Sequence, residues 1–400
     1  KHQFIQGPTT VEIGRMKRCV PLACLVAAVA AEQTTIYKVD YPAVGLCGQE
    51  SNVTKSWVNP HWLFPMLLGG FSEGHCADIG FTEFKRTQHI QMHGHDLVFD
   101  LFAATQTRIA VLELKDSARA GRAVRAKLCM PVGAGKWPLY IFGHGFGCAP
   151  EDYTYFCQVA VVASVYHSDG AVFPADVDNA GAALDAAFLA ARLPELAAGD
   201  ASSPLFGKLD GTVLIGGHSM GGGMTVLVVG EHAARTDGIA VFAPGLYTKP
   251  GAAPFLKNIS APALVVSGSM DCGANALDKE AQPAFDGLAS TSKVLVVVKG
   301  ANHCQWTQPF ERGLGVCSID KNECHGISRA RQHELGERLV KSFAAALKSA
   351  GEWEAFEQML VAGESAGDWT YFSSRTSPAS KRLHNDCPCG RTAEVERVWV

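Results

Sequence analysis

The spacing of apolar positions changes character once along the chain, near residue 137. Beyond it, short continuous apolar runs at 139–142, 159–166, 212–215, 239–243, 264–267 and 294–298 alternate with stretches of helical periodicity at 180–192, 220–234 and 328–350. Continuous runs suit strands buried on both faces, and their alternation with helices predicts an α/β fold with a mostly parallel central sheet flanked by helices. Before residue 137 the runs at 82–91, 97–103 and 124–130 are strand-like, as in a meander. Residues 32–80 lack strong periodicity and carry Cys47, Cys76, Pro60, Pro65 and Gly69-Gly70, so they read as an irregular, Cys-containing extension. The main domain spans 81–350, and 351–400 reads as a further helix followed by a loose tail.

Composition adds a compartment. The 400 residues are 47% hydrophobic and 18% charged, enough to bury a large core and too apolar for a disordered chain. The formal net charge of −4 is spread with mixed signs and no basic tract, which points away from a nucleic-acid partner. Met16-Lys17-Arg18 precedes an uncharged 13-residue run ending in small residues at Ala28-Val29-Ala30. That is the pattern of a secretory signal at 16–31, within a leader covering 1–31, and it is too short for a bilayer span. A secreted chain, or one in an endomembrane lumen, is the expectation, with no integral membrane span in its mature part and a monomer by default. Thirteen cysteines suit that compartment.

The chemistry enters at Gly216-Gly217-His218-Ser219-Met220-Gly221-Gly222-Gly223, which follows one apolar run and opens a helix. A G-x-S-x-G sequence between strand and helix is the nucleophile elbow of α/β-hydrolases, in which a tight turn pushes the serine hydroxyl out of the carboxyl edge of the sheet. A serine hydroxyl needs a base oriented by a carboxylate, and the chain order in that fold is Ser, acid, His. Asp271 follows the run 264–267, and no Asp or Glu occurs between Gly238 and Met270 to compete with it. His303 follows the run 294–298 and is the histidine after Asp271 that sits on a strand-end loop. Gly143-His144-Gly145-Phe146-Gly147 follows the run 139–142, where the Phe146 N–H, with the Met220 N–H, would face a developing oxyanion. His144 is expected to brace that loop.

These segments resemble the α/β-hydrolase branch that contains cutinases, polyester hydrolases and chlorophyllases. Gly217 to Gly223 is similar to the cutinase elbow, His144-Gly145-Phe146 to the chlorophyllase oxyanion loop, and Gly300-Ala301-Asn302-His303-Cys304-Gln305 to the histidine loop of this branch. The resemblance covers roughly residues 122–345. It implies a serine carboxylic-ester hydrolase acting through an acyl-enzyme, without a cofactor and without a large cap domain. Gly145-Phe146-Gly147 departs from the Gly-Tyr-Thr type of turn in polyester-degrading cutinases. An acyltransferase with the same triad, or a non-catalytic binding protein on the same scaffold, are the alternatives. Trp306 and His218 are expected to touch an apolar or bulky ester substrate, with Phe146 and Met220 on the floor of an open cleft.

The cysteines predict pairings. Cys272 and Cys304 each follow a triad residue on strands expected to be neighbours, close enough for a disulfide that clamps acid loop to base loop. A disulfide between the two loops in some polyester hydrolases supports that pairing. Cys317 with Cys324 is a second pair, Cys47–Cys76 and Cys148–Cys157 are pairs by proximity, and Cys129 is expected to be a buried free thiol. His89, His93, His95 and Asp96 cluster in sequence, but Leu97 stands where a metallohydrolase spacing needs an acid, so no metal is assigned.

Overall fold

A computed structural model describes residues 24–27, 36–39, 91–93, 96–102, 107–131, 134–166, 178–246, 252–271, 276–307 and 326–375. The first strands are β1 (Cys24–Ala27), β2 (Ile36–Val39), β3 (Gln91–His93), β4 (Asp96–Phe102), β5 (Thr107–Asp116) and β6 (Arg122–Pro131). They are followed by β7 (Trp137–Gly143), β8 (Val161–Val165), α1 (Asn179–Gly199), β9 (Leu209–His218), α2 (Met220–Val226) and β10 (Gly238–Phe242). The chain continues through β11 (Ala263–Gly268), α3 (Ala281–Gly287), β12 (Lys293–Val298), α4 (Arg329–Ala346), α5 (Ala350–Ala366) and β13 (Trp369–Ser373).

The strands form one mixed sheet in the order β1-β2-β5-β6-β8-β7-β9-β10-β11-β12-β13, with β4 on β5 and β3 on β4. From β8 to β12 every neighbouring pair is parallel. The pairs outward from β8 through β6 and β5, and the β12–β13 pair, are antiparallel.

Side chains alternate across this sheet with the period of two that a strand imposes. Leu139, Ile141, Val265, Leu295 and Val297 join the core beneath α1, α2 and α3. Tyr140, Phe142, Leu264, Val266, Val294 and Val296 join a second core beneath α4, α5 and the short 3-10 helix Pro150–Gln158. Helices thus cover both faces, which is why the strands needed continuous apolar runs. Polar caps fix the helix starts: Asp178, Ser328 and Ser349 each accept a hydrogen bond from the backbone N–H of the first turn.

Three features differ from expectation. The strand β5 was not foreseen; it pairs with β6 over ten positions in a long antiparallel hairpin. The helix after Ser219 is shorter than 220–234, because the α-helix ends at Val226 and the chain relaxes into a π-turn over Leu227–Glu231. The C-terminal region does not pass straight from helix to tail. Gly367 closes α5 in the left-handed conformation, and Trp369-Thr370-Tyr371-Phe372-Ser373 adds a strand to the β12 edge. Trp369 is fully buried there and donates its Nε1–H to the Leu360 carbonyl, so the aromatic run anchors the strand. Residues 376–400 lie outside the described residues.

The cysteine expectations also need correction. Cys129 is not a free thiol but is bonded to Cys157, with 5.5 Å between the Cα atoms. Cys148, expected to pair with Cys157, is the buried free thiol instead. Cys129 belongs to the core face onto which the 3-10 helix packs, so alternation along β6 aims it at Cys157. Cys304 is disulfide-bonded, while Cys272, Cys317, Cys324, Cys47 and Cys76 lie outside the described residues.

Candidate active site

β7 and β9 are neighbours whose onward connections run in opposite directions, β7 to β8 on one side and β9 to β10 on the other. Such a switch point opens a crevice outside the carboxyl ends of the strands, where open α/β sheets bind ligands. The two strands end at Gly143 and His218, immediately before the Gly145-Phe146 turn and Ser219.

Ser219 adopts φ 54° and ψ −117°, a region that residues with a Cβ rarely occupy. The surroundings over-determine it. Its N–H donates to the Phe242 carbonyl at 2.9 Å, and its own carbonyl accepts from the N–H groups of Gly222, Gly223 and Gly245 at 2.9, 3.2 and 2.8 Å. The turn is tight enough that a Cβ on Gly221 would run into the Gly143 carbonyl, so the ends of β7 and β9 and the start of α2 meet backbone to backbone. His218 and Met220 are buried on either side, while Ser219 keeps partial exposure. Ala243, at φ 42°, is a second strained position beside this turn that the sequence did not single out.

Asp271 lies three residues beyond β11 and His303 five beyond β12, on adjacent parallel strands. Backbone bonds zip the two loops together: Ser269 N–H to Val298 O and Met270 N–H to Ala301 O, both 2.9 Å, and Gly300 N–H to Ser269 Oγ at 3.0 Å. His303 Nδ1 meets Asp271 Oδ2 at 2.8 Å, with both side chains buried. A carboxylate accepts, so Nδ1 carries the proton and Nε2 is the basic nitrogen.

The residue next to His303 is held from α4. Gln332 Oε1 accepts the Asn302 N–H at 3.1 Å and its Nε2 donates to the Asn302 carbonyl at 2.8 Å. Sequence reasoning missed Gln332. Its signal was a polar residue on the apolar stripe of α4, in line with Leu335, Gly336, Leu339 and Phe343.

After β7, Phe146 is half-buried in a turn closed by the Cys148 N–H to the Gly145 carbonyl. Among the described residues neither the Phe146 N–H nor the Met220 N–H has an acceptor. His144 is buried, with Nδ1 2.9 Å from the Gly145 carbonyl.

Two residues expected to touch substrate are buried. His218 is only 1% exposed, with Nδ1 2.8 Å from Tyr153 Oη and Nε2 3.1 Å from the His303 carbonyl. Both ring nitrogens are occupied by protein, and the side chain faces the core because strand alternation turns it away from the crevice. Burial, reinforced by the nearby His303 ring, holds its pKa well below the usual histidine value. Trp306 is 0% exposed and packs on Phe242 at 5.0 Å, as part of the core beneath α4. Met220 is buried as well, so its backbone rather than its side chain is available to the site.

Among the described residues no helix is long and apolar enough to cross a membrane, and no three His, Cys, Asp or Glu side chains gather as metal ligands. His89 and His95 lie outside the described residues. Comparison of the chain with models of protein families and with curated proteins gave no match.

Proposed function

We propose that this chain is a secreted serine carboxylic-ester hydrolase with an α/β-hydrolase fold. The observation that carries the proposal is the contact between the two halves of the site. His218, the residue before Ser219, bonds the backbone of His303, whose ring pairs with Asp271 in a buried contact of 2.8 Å. The strained serine between strand and helix, the order Ser, Asp, His along β9, β11 and β12, and an oxyanion turn after β7 all support it. The disulfides at Cys129–Cys157 and at Cys304 favour an oxidising compartment.

In the mechanism, Ser219 Oγ attacks the ester carbonyl as His303 Nε2 takes its proton, and Asp271 holds the imidazole and stabilises the imidazolium. The Phe146 and Met220 N–H groups donate to the oxyanion. Collapse breaks the ester C–O bond, His303 returns the proton to the leaving alkoxide, and water releases the acid from Ser219 by the same steps. Phe146, half-buried at the oxyanion turn, favours an apolar acyl group.

The test is hydrolysis of p-nitrophenyl esters of increasing chain length, with fluorophosphonate labelling, on the wild type and Ser219→Ala. Turnover is expected to fall by at least about 10⁴-fold in the variant, with the label lost. Full activity in Ser219→Ala would overturn the proposal.

A further inference from the structure

Resting on that proposed activity, we infer that Tyr153 and His218 are positioning residues that hold the oxyanion turn and the histidine loop in register. The observations form an unbroken chain. Tyr153 Oη accepts the Gly145 N–H at 3.0 Å, one residue before the Phe146 N–H that would meet the oxyanion. The same Oη contacts His218 Nδ1 at 2.8 Å, and His218 Nε2 contacts the His303 carbonyl at 3.1 Å.

A carbonyl can only accept, so His218 Nε2 must carry the ring proton. Nδ1 of the neutral ring is then an acceptor, the Tyr153 O–H must donate to it, and the remaining Oη lone pairs are open to Gly145. Each donor meets one acceptor and no alternative tautomer satisfies all three contacts. The ionisable groups facing this pair are His303, His144, Cys148 and Asp152. Burial pushes the Cys148 thiol up to about 12, so it stays neutral.

Tyr153 is held from behind. It sits in the 3-10 helix Pro150–Gln158, which Cys157 fastens to β6 through Cys129. From the same helix, Tyr155 Oη donates to the Trp306 carbonyl at 2.9 Å, three residues past His303. One short helix therefore bonds both the oxyanion turn and the histidine loop. A side chain at Gly145 would crowd this pair, since a Cβ there would lie 3.0 Å from His218 Nδ1 and 3.2 Å from Tyr153 Oη. Pre-set donors are what oxyanion stabilisation requires, and a displacement near 1 Å is enough to lose about 100-fold in rate.

The experiment compares wild type, Tyr153→Phe, His218→Asn and the double variant with p-nitrophenyl butyrate and with a phenylboronic acid that forms a tetrahedral adduct on serine. Each single variant should lower kcat about 10- to 100-fold with KM within about twofold, and weaken the boronic acid in step with kcat. Because both substitutions break one chain, the double variant should fall no more than about threefold below the worse single one. Additive losses, or kcat loss without weaker boronic acid binding, would overturn the inference. Histidine NMR of the wild type gives a readout independent of variant folding. His218 should show the Nε2–H tautomer and remain neutral near pH 6.5, whereas an Nδ1–H tautomer or ordinary titration would overturn it. A wild type that neither turns over ester nor accepts a fluorophosphonate sinks the proposed function and this inference together. An active wild type with an unaffected Tyr153→Phe sinks this inference alone.

Discussion

The two halves of the site are built by different physics. Around Ser219 the structure is made of backbone: glycines at the ends of β7 and β9 and the start of α2 let main chain touch main chain, and the strained serine is pinned by four backbone hydrogen bonds. Around Asp271 and His303 side chains join the backbone bonds between the loops. The Asp271–His303 hydrogen bond, a serine hydroxyl and the amide of Gln332 help set them. Both halves are intolerant of added volume, at Gly221 against Gly143 and at Gly268 against Ala301, but the second also depends on side-chain partners. The helix Pro150–Gln158, with Tyr153 and Tyr155, makes side-chain bonds to both.

The difference can be broken most severely at Gly221. Gly221→Ala should destabilise the fold by about 3 kcal/mol or more, because the new Cβ meets the Gly143 carbonyl rather than a side chain that can rotate away. In a thermal melt that corresponds to a fall of about 6–12 °C. An unchanged melting temperature would show that the junction has slack and that the nucleophile half is not sterically set.

On the other half, Gln332→Leu keeps the volume and removes both bonds to Asn302. Two buried backbone groups lose their partners, which should cost about 2–4 kcal/mol and lower kcat about tenfold through His303, with KM little changed. Steady-state kinetics beside a melt would check it. Full kcat in that variant would mean the histidine loop holds its geometry without α4.

The smallest effect concerns the side of α4 that meets Tyr155. Burial, aided by Glu334, raises the Glu337 carboxyl to about 7, while burial lowers His333, stacked on Tyr155, to about 4. The folded state binds the Glu337 proton more tightly than the unfolded chain, so this stability is full below about pH 4.3 and is lost as pH rises through about 7. His333 acts oppositely, its contribution being present above about pH 6.5 and lost as pH falls toward 4. Relative to wild type, Glu337→Gln should gain about 1 kcal/mol between about pH 5 and 7, after allowing for partial exposure, since the His333 contribution is common to both. Melting temperatures of the two proteins across that range would test it; a difference that does not change with pH places the effect elsewhere.

Legibility followed the same division. The strand, turn and helix around Ser219 were readable because glycine spacing and apolar period are local properties, and Asp271 was readable as the partner of His303 because no other carboxylate stood between Gly238 and Met270. Gln332 was not readable as a partner of Asn302, since it lies thirty residues away and its only signal was a polar residue on an apolar stripe. The burial of His218 and Trp306 was not readable for a related reason. Proximity in sequence to Ser219 and His303 did not reveal that strand alternation and the arrival of α4 turn both side chains into the core.

By itself, then, the sequence determined the period of each buried strand, the punctuation at the glycines and the order in which Ser219, Asp271 and His303 leave the sheet edge. Those features depend on neighbouring residues alone. The tertiary structure decided that Cys129 bonds Cys157 and leaves Cys148 free, that Trp369–Ser373 completes the sheet, and that Tyr153 reaches His218. Each of those needs two segments distant in sequence to meet at a distance of a few ångströms, and which segments meet is settled only when the layers pack.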